Sequence, residues 1–299
     1  MKKSHFRLPG MIINDMKKQC LSPAFYIGIF GAVILMTLDT YEVFVNTESV
    51  RYTLLEMLVR GKEWIMQNSS FCWEEFVLQQ PGRQFIDYVT VLASLPFLIQ
   101  FCMERKSGST RLNIFRMGRW SYYFSKIISG MFSGGILAGS GYGIFLLLTW
   151  FRIPKAEEVG ADISYILPEG VLTEQFLSFA AFCLFGMFLY GMIAAAPGIL
   201  FSSFTTDIYV CLTIPFLLKW VNEIFRSYLY TYLYIDHEKI EGKWLQCLSW
   251  WKENGGMEQI VYEIQGKKIW QAGVILIGFF LVTATVFCLR MNGRKDYGE

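Results

Sequence analysis

Six stretches of this chain are apolar for long enough to cross a bilayer, which takes about 20 mostly apolar residues. They run over residues 21–38, 85–103, 123–151, 176–200, 204–225 and 269–288. Pro96 and Pro215 fall inside two of them, which a membrane helix tolerates where neighbours satisfy the freed carbonyl. Only Pro197-Gly198 and Ser202-Ser203 separate the fourth stretch from the fifth, so a tight helical hairpin is expected. The pattern predicts an all-α polytopic membrane protein, a single transmembrane domain over residues 1–299 with six spans and no repeat. The polar segments between the spans are unequal: 39–84 and 226–268 are long, 152–175 is moderate, and 104–122 leads into the third span. In residues 1–20, Ile12, Ile13, Met16 and Cys20 share one helical side while Asp15, Lys17 and Lys18 lie elsewhere. That pattern fits a helix lying in the membrane interface; a plain basic topology anchor is the alternative.

Composition agrees with the pattern. The chain is 54% hydrophobic and only 17% charged, more apolar and less charged than a soluble domain. Aromatics at 17% exclude a disordered chain. A net charge of +2 excludes nucleic-acid binding by bulk electrostatics. Divided by segment, that small charge becomes informative. Residues 1–20, 103–126, 201–207 and 289–299 hold 14 of the 27 basic residues and five acids, a net of +9, which leaves −7 for the rest. Under the positive-inside rule both termini are expected in the cytoplasm. Trp120, Trp150, Trp220 and Trp270 fall at span ends, as an interfacial aromatic belt requires. Pro9, Asp15, Lys17 and Lys18 interrupt the apolar run that a signal peptide would need.

Little in the chain points to bond-making chemistry. None of the seven Cys has CxxC spacing, and the two His, at 5 and 237, are too far apart to share a metal. Cys72 and Cys247 are the only cysteines in the segments expected outside, so a disulfide between them is open. Gly61-Lys62 and Gly266-Lys267 lack the upstream Gly and the following Ser or Thr of a P-loop, so the chain by itself is not expected to hydrolyse ATP. Glu74-Glu75 superficially resembles the paired glutamates of CAAX-type membrane proteases, but no intramembrane His accompanies it to hold a metal. A channel is the other alternative, although no selectivity filter is recognisable. No charge is expected deep in a span: Asp87 and Asp207 lie near span ends, and Lys219, Glu223 and Arg226 stand at the outer end of the fifth, spaced for mutual pairing. That argues against a proton-coupled transporter. The third span carries Gly130, Gly134, Gly135, Gly139, Gly141 and Gly143, with Gly135, Gly139 and Gly143 at four-residue spacing. A nearly bare helix face of this kind lets a neighbouring helix approach closely. Tyr228, Tyr230, Tyr232 and Tyr234 alternate strictly after the fifth span; they read as interfacial aromatics or as part of an outer gate with Lys219 and Glu223.

The segment from Glu104 to Lys126 is the most distinctive. Gly108 and Gly118 permit turns, Leu112 and Phe115 beside Ile114 give a short helix an apolar stripe, and Arg111, Arg116 and Arg119 flank it. Such a helix suits docking to a cytoplasmic partner; a basic topology loop is the bland alternative. Glu104, Gly108, Leu112, Arg119 and Lys126 stand where the membrane subunits of type-2 ABC exporters carry an acid, a Gly, an apolar residue, a base and a Lys entering the third span. The chain resembles that family over nearly its whole length, with the lead-in ending at Ser22-Pro23, the six spans and the long outer segment before the last. The resemblance implies that residues 104–126, Arg105 included, form the coupling loop to a separate ABC ATPase that binds ATP and Mg. It implies pairing with a second membrane subunit, as a homodimer or a heterodimer, in a bacterial plasma membrane. It also implies a re-entrant segment within 226–268, and export of a hydrophobic or amphipathic cargo. Peptides, as in exporters similar to those of phenol-soluble modulins, are favoured over drugs, lipids or lipid-linked glycans.

Overall fold

The computed structural model describes residues 7–45, 48–68, 71–79, 83–160, 176–235 and 269–293. These residues are mostly helical. In chain order they form α1 (Arg7–Cys20), α2 (Pro23–Thr37), β1 (Thr40–Val45), β2 (Glu48–Thr53), α3 (Leu54–Arg60), α4 (Lys62–Asn68), α5 (Trp73–Gln79), α6 (Arg83–Lys106), α7 (Ser109–Met117), α8 (Arg119–Arg152), α9 (Ala156–Val159), α10 (Phe176–Ser202), α11 (Ile208–Ile235) and a last helix, α12 (Ile269–Asn292). Among the described residues, α6, α8, α10, α11 and α12 are each long and apolar enough to cross a membrane. A sixth crossing is reached only if α1 and α2, bent by 61° at their junction, count as one span.

The first expected span is therefore shorter than its apolar stretch. α2 has 15 residues, about 22 Å, against a hydrocarbon core of about 30 Å. Its start is written locally: the Ser22 hydroxyl accepts from the Phe25 amide, and Pro23 occupies the first turn, where its missing N–H costs nothing. The third span is longer than expected. α8 has 34 residues, about 51 Å, so its ends project beyond the apolar slab. The fourth keeps its expected start and encloses Pro197 within α10. The fifth starts at Ile208 and runs on to Ile235. Residues 226–235, expected in an outer segment, thus continue α11. Tyr228 is exposed. Residues 236–268, including the expected re-entrant segment and Cys247, lie outside the described residues, so the Cys72–Cys247 pairing does too.

The bundle centre is α8, which packs most extensively on α10 and also on α1, α2 and α6. The glycines make this possible. A Cβ on Gly134 would lie 2.7 Å from the Ala195 Cβ and 2.9 Å from the Ala93 carbonyl, and one on Gly135 would lie 2.8 Å from the Phe188 carbonyl. Gly139 and Gly143 face α10 less tightly, with contacts beginning at 3.4 and 3.3 Å. The stripe is matched from the other side by Gly191, whose added Cβ would come within 2.6 Å of the Gly134 carbonyl. Outside this core, α11 and α12 leave Leu217, Leu218, Val221, Ile277, Leu281 and Val282 exposed, an apolar surface suited to a bilayer rather than to water.

One end of the bundle is capped by the segment 39–79, which adds two strands to the expected all-α fold. β1 and β2 pair antiparallel with Thr40 opposite Thr53 and Val43 opposite Val50, in runs rich in β-branched and aromatic residues. Trp73 anchors the cap: its indole N–H donates to Thr149 at 3.3 Å, and its ring packs edge-on against Trp150 at 4.6 Å. Glu74 accepts from the Ala156 amide at 2.8 Å and so holds α9 against α5; that structural bond occupies the glutamate considered above as half of a protease pair. The ammonium of Lys62, then the backbone N–H of Lys155, hold the Glu158 carboxyl below its usual range, tying α4 to α9.

Replacing Gly134 or Gly191 by Ala is expected to destabilise the bundle by about 1–3 kcal/mol, because backbone atoms must move. Gly278, whose added Cβ would meet nothing within 4 Å, is the control. Thermal melts of the detergent-purified variants check this: Gly278→Ala should melt with the parent and the other two below it.

Candidate functional site

The opposite end holds a lysine surrounded by carboxylates. Lys126 lies on α8 about 10 Å from its start at Arg119, and only 2% of its side chain is exposed. An ammonium there loses its water, so it must be paired. Its Nζ lies 3.0 Å from Asp15 Oδ1 on α1 and 2.8 Å from Glu104 Oε2 on α6. Each carboxylate is held further. Ser125 donates to Asp15 Oδ2 at 3.0 Å. Gln100 donates to Glu104 Oε1 at 3.2 Å, and the Tyr122 hydroxyl donates weakly at 3.4 Å. The Tyr122 ring also stands 5.4 Å from the ammonium. One turn further along, Gln19 donates to Ser129 at 3.2 Å. One cation and two anions leave the cluster at a formal charge of −1.

The geometry buries residues that the apolar pattern of the first helix leaves aside: Asp15, off the side shared by Ile12, Ile13, Met16 and Cys20, is buried together with Gln19, and Ile13 is exposed. The inward side is set by the bond to Lys126, not by hydrophobicity. Lys126 on α8 and Lys219 on α11 are likewise buried. The participation of Asp15, Gln19, Tyr122, Ser125 and Ser129 was not read from the sequence. The available signal was their spacing: Asp15/Gln19 and Ser125/Ser129 are both polar pairs four apart, which places each pair on one helix side.

Between Glu104 and Lys126 the chain projects α7. Gly108 begins it at φ +72° and Gly118 ends it at φ +86°, conformations that L side chains adopt only with strain. Ser109 donates to the Glu104 carbonyl at 3.1 Å, closing the first turn onto α6. Thr110 and Ile114 face the bundle. The opposite side presents Leu112, 62% exposed, and Phe115, 91% exposed, with Arg111 and Arg116 exposed beside them. The expected stripe therefore divides: Ile114 packs inward, and Leu112 with Phe115 forms an outward apolar tip between two arginines. Arg105 takes another direction. It donates to the carbonyls of Ser202 and Thr205, the latter at 2.9 Å, and so ties α6 to the turn between α10 and α11. Arg119 reaches Asn292 on α12 at 3.4 Å.

The other expected polar group lies at the capped end. Lys219 on α11 reaches across to Asp87 on α6 at 2.9 Å and along its own helix to Glu223 at 3.4 Å. Pairing four apart thus occurs as the spacing predicts, and Asp87 is an additional partner. The side chains at 226, 230, 232 and 234 lie outside the described residues. Among the described residues, no three His, Cys, Asp or Glu side chains are grouped as metal ligands.

No protein-family model, curated protein or solved structure matches the chain.

Removing one partner of a buried charge cluster costs about 3–5 kcal/mol, because the remaining charges stay buried. Lys126→Met is therefore expected to lower thermal stability strongly, whereas Phe115→Ala on the exposed side of α7, where that ring is 91% exposed, should leave it unchanged. Differential scanning fluorimetry in detergent distinguishes them, and equal melting points would refute the anchoring role of Lys126.

Proposed function

We propose that this chain is the membrane-spanning subunit of an ATP-driven exporter, driven by a separate cytoplasmic ATPase that docks on α7. The observation that carries the proposal is the pairing of an exposed tip with a rigid mount. Leu112 and Phe115 stand outward between Arg111 and Arg116, and α6 and α8, the helices on either side of α7, are bridged by the Glu104–Lys126–Asp15 cluster. Two apolar side chains exposed at a helix tip cost free energy in water unless a partner covers them. A push on α7 would pass through Glu104 into α6 and through Lys126 into α8 and α1. The ATPase would hold ATP and Mg; this chain supplies the pathway. Two membrane subunits, identical or paired with a second kind, would flank that pathway in a bacterial plasma membrane. The α7 end would face the cytoplasm, in keeping with the basic segments at that end. The aromatic-rich spans suit a hydrophobic or amphipathic cargo, with peptides favoured.

Co-expression with a candidate ATPase tests this reading. The wild-type chain should co-purify with it and change its ATPase rate. Phe115→Asp should abolish co-purification while leaving the melting point of the membrane subunit unchanged, since Phe115 is 91% exposed. Retained binding and unchanged ATPase regulation in Phe115→Asp and Leu112→Asp would overturn the proposal.

A further inference from the structure

At the end of the bundle away from α7, α6 and α11 enclose a cavity of about 240 Å³ lined by Asp87, Tyr88, Phe216, Lys219, Trp220 and Glu223. Its chemistry is selective. A lysine ammonium has three N–H groups, and those of Lys219 have three acceptors: the Ile86 carbonyl at 2.6 Å, Asp87 Oδ1 at 2.9 Å and Glu223 Oε1 at 3.4 Å. No N–H remains to receive an anion. The carboxylates are in the reverse position. Each is partly exposed and, among the described residues, each bonds only Lys219 through one oxygen, so the second oxygens of Asp87 and Glu223 retain acceptor capacity. The six lining residues therefore carry a formal charge of −1. Its walls are aromatic. Tyr88 and Phe216 stack at 5.4 Å and 12°, and Trp220 is 56% exposed beside them. Aromatic faces attract cations, most strongly organic ammonium groups whose own hydration is weak. α11 also carries outward apolar residues, Leu217 among them.

We propose that this cavity binds the organic ammonium group of an amphipathic molecule, with Asp87 and Glu223 as counter-charges and Tyr88, Phe216 and Trp220 as the cation-attracting walls. Lys219 acts as the internal brace that fixes the two carboxylates. The proposal does not depend on export or on the ATPase, since it concerns binding by the membrane chain alone.

The test uses the full chain in nanodiscs of phosphatidylglycerol, which carries no amine. Hexyltrimethylammonium is titrated in, with hexanol and hexyl sulfate as uncharged and anionic controls. The wild-type chain is expected to bind the ammonium saturably and to prefer it over both controls. Asp87→Asn and Glu223→Gln should each weaken binding at least about tenfold, the loss that follows removal of one charge-assisted partner. Trp220→Leu, an exposed substitution that leaves folding intact, should weaken it about threefold or more. A parallel arm separates the sources of the group. Native mass spectrometry after exchange into mixed bilayers asks whether phosphatidylethanolamine is retained over phosphatidylglycerol by the wild type and not by the Asp87 and Glu223 variants. Selective retention assigns the ammonium to a lipid headgroup; ammonium binding without it assigns the site to a soluble amphipathic cation. The proposal is overturned if neither arm prefers the ammonium, or if that preference survives in all three variants.

Discussion

The Lys126 ammonium has almost no contact with solvent, and the architecture of one whole end of the bundle answers to that. A buried cation is stable only with counter-charges in close and well-bonded positions. Here they come from two other helices, Asp15 on α1 and Glu104 on α6. Three elements distant in the chain are thereby drawn to one point. α7 is the connection between the helices that carry Glu104 and Lys126, and its apolar tip, Leu112 and Phe115, is exposed. Arg105, one residue beyond Glu104, extends the arrangement by bonding the turn that joins α10 to α11.

The two ends of the bundle use one electrostatic unit in different ways. At each, a buried lysine lies between two carboxylates, and α6 contributes to both, Glu104 near its end and Asp87 near its start. At the α7 end, further hydrogen bonds from Ser125, Gln100 and Tyr122 close the cluster. At the other end the carboxylates border a cavity with aromatic walls. The first arrangement is mechanical: all four carboxylate oxygens of Asp15 and Glu104 are engaged by neighbouring side chains. The second has acceptors to spare. Between them α8 and α10 lie backbone to backbone over Gly134, Gly135 and Gly191, so displacement of either helix is felt directly by the other.

Much of this was legible along the chain. Long apolar runs specify membrane-length helices because a bilayer offers backbone groups no hydrogen bonds, and five of the six expected spans appear as single long helices among the described residues. The glycine stripe was legible because small residues at helical spacing have one physical use, close approach, though its match in Gly191 was not. The hairpin over residues 40–53 was missed because its short alternating runs lie between much stronger helical signals. The length of α11 was missed because apolarity ends at the membrane boundary while helical hydrogen bonding does not.

By its sequence alone, this chain determined its class: apolar periodicity and charge distribution require a polytopic helical bundle, with turns at Gly108 and Gly118 that isolate a short helix. Tertiary structure decided which polar residues matter. Asp15 interrupts an apolar pattern, and hydrophobicity places it outside; only the presence of Lys126 on a helix more than a hundred residues away makes its burial favourable. Periodicity measures the affinity of each residue for water or hydrocarbon, one element at a time. Pairing energy between buried charges belongs to no single element, and so it becomes visible only when the helices are assembled.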